Sequence, residues 1–97
     1  DREGGLASGP NHAELLEIDV GSESRIGGVR VFELRLPKGA NIALVVRDGG
    51  SFVPRDSEVL RHGDQLLVVT PSAVRAAVER RLYEVSRGGR LADWADG

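Results

Sequence analysis

The side chains of this sequence that could take part in chemistry are few and scattered. His12 lies in a glycine-bearing leader and His62 beside a Gly63-Asp64 turn, far apart in the chain. A catalytic triad needs a nucleophile, a base and an orienting acid in one cleft, and no such grouping is suggested by this spacing. The histidines are too isolated to hold a metal, and the absence of cysteine removes the thiolate alternative. GSESRIGG, residues 21–28, matches no phosphate-binding fingerprint, and no glycine-rich loop is followed by the lysine such a loop requires. Asp64 is better suited to fixing its turn than to acid-base work without a partner. The expectation is a protein that is not an enzyme and has no catalytic or metal site.

What remains is chemistry suited to binding. Asn41 opens an apolar run, where it either contacts a ligand or acts as a local turn former bonding its own backbone. Arg47 begins an RDGG turn and is either a ligand or partner contact or a hairpin-end charge in water. Arg75, Arg80, Arg81, Arg87 and Arg90 make the chain basic near its C-terminal end. They either meet anionic lipid headgroups or, with Glu79 and Glu84 interleaved, form a solvated helix face.

These residues must be carried by a small scaffold. Ninety-seven residues make one domain at most, and a domain of this size buries only about 60 to 65 per cent of its unfolded surface. Self-association extends so modest a core, so a dimer is expected more readily than a monomer. A net charge of -2 with acids and bases interspersed gives no broad positive field, which argues against nucleic acid as a partner. The lack of cysteine fits a reducing compartment, and no apolar run approaches the ~20 residues of a membrane span. The leading DREGGLASGPNHA lacks the apolar core of a signal peptide.

Residues 1–13 have the composition of a flexible linker or truncated interdomain segment. LLEIDV alternates, with Leu16, Ile18 and Val20 on one face and Glu17 and Asp19 on the other, as an edge-proximal strand should. VRVFELRLP fits either a strand or a helical turn, and Pro37 ends it in both cases. NIALVV, residues 41–46, predicts a strand, RDGG a hairpin turn and SFVP a short return near a sheet edge.

QLLVV, residues 65–69, predicts a strand buried on both faces, so that Leu67→Ala is expected to open a core cavity. Thr70 and Pro71 have the chemistry of an N-cap and first helical residue. A helix is therefore expected from Pro71 to Val85, with Val74, Ala77, Val78, Leu82 and Val85 inward and Arg75, Glu79 and Arg80 outward. Gly88 and Gly89 mark its end.

The order of elements, with LEIDV, then IGGVRVFELRLPKGANIALVVRDGG, then VPRDSEVLRHGDQLLVV, resembles the C-terminal regulatory domain of the RCK family, also called TrkA-C. Gly27 or Gly28, Glu33-Leu34, Leu36 to Ala40, Arg47 to Gly49, Pro54 and Gly63-Asp64 stand where that family's pattern wants them. The resemblance implies an α+β fold of about four strands in β-α-β-β-β-α order, and settles VRVFELRLP as a short helix from about Gly28 to Leu34. The domain would occupy residues 14–86, followed by a tail, 87–97.

The resemblance further implies a homodimeric regulatory appendage on the cytoplasmic face of the cell membrane, most like that of a bacterial potassium/proton antiporter whose membrane domain lies outside this sequence. Cyclic di-AMP is the family's best-known nucleotide ligand for this domain, held across the dimer axis. Carried over, that ligand points to Asn41 as a polar contact, Ile42 and Pro54 as apolar contacts for the bases and Ala40 as close backbone. The family's phosphate-neutralising arginine lies in a loop that is shorter here, leaving Arg35 or Lys38 for that role, with Arg47 a further candidate. The alternative is a dimerisation or docking module that binds nothing small.

Overall fold

The alternation of LLEIDV is realised at a sheet edge. In the computed structural model, which describes residues 12–91, strand β1 (Ala13–Asp19) pairs antiparallel with β4 (Gln65–Pro71). β4 pairs in turn with β2 (Asn41–Arg47), and β2 with the short β3 (Gly50–Phe52), giving the order β1-β4-β2-β3. The expected leading linker, up to residue 11, and the tail beyond residue 91 lie outside the described residues.

The β2–β3 hairpin turns on Asp48 and Gly49, both with positive φ, 53° and 81°. That is the pairing a two-residue turn needs to match strand twist, and glycine adopts it without steric cost. A register shift between Ile42 and Leu44 makes room for Ala43, so Ile42 and Val45 both face the core despite their odd spacing.

Between β1 and β2 the chain makes a 3₁₀ turn, Val31–Leu34, shorter than the helix expected from Gly28. Helix α1 (Arg75–Gly88) follows β4 through a 3₁₀ turn at Ser72–Val74, and a last 3₁₀ turn covers Gly89–Leu91, so regular structure continues past residue 86. The core lies between one sheet face and α1 with the loops before β2. Leu66, Val68 and Val45 from the sheet, Val78 and Val85 from α1, and Leu34 and Leu60 from the loops are wholly buried. Each such side chain contributes about 1.5–3 kcal/mol by leaving water.

Several sequence-based expectations are corrected. β4 is covered on one face only: Leu66, Val68 and Thr70 point inward, whereas Leu67 is half-buried and Val69 exposed on the far side. Thr70 does not cap a helix. Thr70 and Pro71 stay in the ladder opposite Glu14 and Ala13, the Thr70 hydroxyl donates to the Pro71 carbonyl at 3.0 Å, and helical geometry begins only at Ser72. Arg81 does not belong to a solvated face but is buried at 8% exposure, while Arg75, Arg80 and Arg87 are exposed. Among the described residues no helix is long and apolar enough to cross a membrane.

Candidate functional site

Two turns build the wall of a cleft at the N-terminal end of β2. The first is the 3₁₀ turn, whose leading amides would otherwise lack acceptors. The Arg30 amide donates to Glu33 Oε1 at 2.9 Å, the Val31 amide to the Glu58 carbonyl at 3.0 Å and the Phe32 amide to the Asp56 carbonyl at 3.0 Å. Segment 56–58 is thereby laced along the turn. Arg35 closes it in the left-handed region, φ 50°, with its amide donating to Phe32 O at 3.3 Å. A non-glycine residue there is uncommon, and here it redirects the chain sharply into LPKGA.

The second turn spans Pro37 to Ala40, closed by the Ala40 amide on the Pro37 carbonyl at 3.0 Å. Gly39 has φ 94°, and a Cβ on it would stand 3.0 Å from Pro71 Cγ. Both conformation and space thus select glycine. The turn delivers Asn41 to the outer sheet face and Ile42 to the inner one, opposite Val69 and Val68.

The resulting cleft holds about 260 Å3 and is lined by Val31, Phe32, Arg35 and Leu36 from the first turn, Ala40, Asn41 and Ile42 from the second, and Asp56 from the laced segment. Of the expected contacts, Arg35, Ala40, Asn41 and Ile42 are brought together. Lys38 is exposed at the adjacent turn but does not line the cleft, and Pro54 is half-buried two residues before Asp56. Val31, Phe32 and Asp56 also line the cleft and are not among the contacts expected from the sequence. Phe32, 58% exposed, offers an aromatic face to a flat ring, and the signal that could have marked it is that phenylalanine is rare in this chain, which has two.

Arg47 stands at the other end of β2, about 20 Å from Asn41 at the usual strand rise. It is not a hairpin charge in water. Its Nε and Nη2 donate to Asp64 Oδ1 and Oδ2 at 2.9 and 2.8 Å, Nη2 also to the Val59 carbonyl at 3.0 Å, and Nη1 to Glu58 at 3.3 Å. The guanidinium lies 5.0 Å from the Phe52 ring centroid. The bond to Asp64 leads the interactions that raise the Arg47 pKa above its ordinary value. Burial works against ionisation of Asp64, yet Arg47 and the Arg61 amide outweigh it and hold the carboxyl below the usual carboxylate range.

A second, more open cleft of about 500 Å3 lies between Ser22 to Val29, His62 and the end of α1. None of the expected contacts lines it. The His62 ring meets the Ser24 carbonyl at 3.0 Å and His12 meets Glu14 at 2.9 Å. Among the described residues no three His, Cys, Asp or Glu side chains gather where they could hold a metal ion.

Comparison with known proteins agrees with this architecture. The TrkA-C domain family model matches residues 15–83. The Trk system potassium uptake protein TrkA homolog 2 of Methanosarcina mazei is 31% identical over 68 residues, which are 70% of this chain but 15% of that protein. The corresponding TrkA homolog of Archaeoglobus fulgidus is 35% identical over 57 residues, 59% of this chain and 13% of that protein. The chain thus spans less than a sixth of the length of these relatives. The RCK_C domain dimer of S. agalactiae BusR, solved in complex with c-di-AMP, superposes with a TM-score of 0.56 at 26% identity, covering 71% of this chain and 95% of that one. With the family model matched along most of its length and the sheet, turns and helix in the family's arrangement, the chain belongs to the TrkA-C (RCK_C) domain family.

Proposed function

We propose that this chain is the ligand-sensing regulatory domain of a bacterial cation transport protein, a potassium/proton antiporter, and that two copies bind cyclic di-AMP between them. It acts by binding and not by catalysis. The observation that carries this reading is the cleft itself. An exposed aromatic ring, a guanidinium, a carboxamide and an apolar floor converge there in Phe32, Arg35, Asn41 and Ile42. The first three suit a purine, a phosphate and a ribose or base edge respectively, and the Ile42 floor offers apolar contact to a base.

The size of the cleft supports a shared site. At about 260 Å3 it falls below the roughly 300–1,000 Å3 of ordinary small-molecule sites, and doubling it across a two-fold axis brings it into that range. A strip of the outer sheet face beside it carries exposed apolar side chains: Leu15 lies opposite Val69, which lies opposite Asn41, and Leu15 and Val69 are 57% and 36% exposed. A second copy covering this strip would bring two clefts together. The RCK_C domain of BusR is a dimer in complex with c-di-AMP, which supports a dimer and that ligand here.

Ligand bound between two copies favours one relative placement of them, and by linkage that preference biases the attached membrane domain. Thermal unfolding with a mass measurement tests this. Cyclic di-AMP at one hundred times its dissociation constant stabilises by about 2.7 kcal/mol, so a raised Tm on a dimer is expected. A dimer whose Tm ignores the nucleotide would instead identify a docking module that binds nothing small.

A further inference from the structure

We propose that Arg81 is a positioning residue for the ligand cleft: by gripping the end of the 3₁₀ turn from α1 it sets the direction of Arg35 and ties occupancy of the cleft to the seating of α1. This rests on the reading of the cleft as the ligand site. The 3₁₀ turn ends in carbonyls that its own geometry leaves without partners. Arg81 Nε donates to the Leu34 carbonyl at 2.7 Å and Nη2 approaches the Glu33 carbonyl at 3.5 Å. Leu34 is wholly buried and Arg81 nearly so, at 8% exposure, so the Nε bond to the Leu34 carbonyl forms away from water, while the Glu33 contact is part-buried.

The next residue is Arg35. Its left-handed backbone, φ 50° and ψ 53°, turns the chain between the clamped carbonyls and the cleft wall. Phe32 and Arg35 both line the cleft, and Phe32 O accepts the Arg35 amide. The clamp therefore fixes the peptide that leads into Arg35, and Phe32 is tied to that peptide through the Arg35 amide. Arg81 itself does not line the cleft, and it is carried by α1, which Val78, Leu82 and Val85 seat in the core. Any shift of α1 along the sheet pulls on Leu34 and turns Arg35, and ligand that fixes Arg35 resists the shift. Reciprocity of this kind is required of coupled sites. A guanidinium suits the task because it presents several donors in one rigid plane to two carbonyls, which an ammonium does not.

The experiment compares Arg81→Met, Arg81→Lys and Leu82→Ala. Leu82→Ala weakens the same helix in the core without touching the carbonyls, and so controls for stability alone. Cyclic di-AMP affinity is measured by calorimetry on the folded proteins, with hydrogen exchange of the amides of Arg35, Leu36 and Ala40 to Ile42 in the absence of ligand. The expected result is a loss of affinity of about tenfold or more for Arg81→Met, a smaller loss for Arg81→Lys, and the smallest loss for Leu82→Ala, which loosens the seat of α1 but keeps the clamp. Folded Arg81→Met that binds within twofold of the native chain overturns the proposal. If Arg81→Met does not fold, the same comparison is read from Arg81→Lys. If the native chain binds no cyclic di-AMP, the ligand reading fails and exchange alone decides the positioning role. Faster exchange in the Arg81 variants than in Leu82→Ala supports it, and equal exchange overturns it.

Discussion

Arg47 grips Asp64 with two parallel hydrogen bonds, Nε to Oδ1 at 2.9 Å and Nη2 to Oδ2 at 2.8 Å, and so pins the end of β2 to the turn that opens β4. Asp64 is 2% exposed and also accepts the Arg61 amide at 2.9 Å. Asp64→Asn leaves the guanidinium facing an uncharged partner; because Asp64 is buried but Arg47 only partly so, the loss should reach at most the roughly 3 kcal/mol of breaking a buried pair. Urea unfolding at neutral pH should show that loss as a lowered midpoint.

The same pair predicts a pH dependence with a definite sign. Because the folded state holds the Asp64 pKa below its ordinary value, the stability it contributes is complete above the unfolded value, near 3.9. It disappears as pH falls through the folded value. The gap in urea midpoint between the native chain and Asp64→Asn should therefore be constant from pH 7 to about 5 and narrow below about pH 4. A gap that widens in acid would contradict this.

The two faces of β4 should respond differently to truncation. Leu66→Ala empties a wholly buried position and should cost about 2–5 kcal/mol. Leu67 faces the other way and is half-buried in the single chain, so Leu67→Ala should lower stability much less. Equal losses would mean that the outer sheet face is as tightly packed as the core.

The outer face also predicts how copies associate. Val69→Lys places a charge in the strip formed with Leu15 and Asn41. Sedimentation should show the native chain as a dimer and the variant as a monomer with unchanged circular dichroism. A variant that stays dimeric would move the interface elsewhere.

Within the cleft, Asn41→Ala and Phe32→Ala remove exposed side chains and should leave Tm within a few degrees while weakening cyclic di-AMP by about tenfold, the equivalent of 1.4 kcal/mol. Unchanged affinity would remove either residue from the site.

Much of the scaffold was legible because periodicity reports which face an element buries. Leu16 in β1 and Val20 just beyond it, and Val78, Leu82 and Val85 in α1, sit where alternation and helical spacing put them. The glycine turn after Arg47 was legible through conformation, since only certain residues adopt positive φ readily. Long-range pairing was not legible. Thr70 and Pro71 carry good helix-start chemistry, and only the ladder with Ala13 and Glu14 keeps them extended. QLLVV offers no local sign that its second face lacks a covering layer.

The site divided in the same way. Arg35, Ala40, Asn41 and Ile42 are close in sequence and came together, whereas Asp56 joins them only through its carbonyl bond to the Phe32 amide. The partnering of Arg47 and the burial of Arg81 were hidden for a related reason. Their partners are a carboxylate and backbone carbonyls 17 and 47 positions away, and carbonyls are carried by every residue type.

The most direct measurement of the central claim is amide chemical-shift mapping of the labelled chain titrated with cyclic di-AMP. Saturable changes centred on Val31 to Ile42 and Asp56, on a particle with the mass of a dimer, are predicted. Changes centred instead on Ser22 to Val29 and His62, or none at any concentration, would contradict the account.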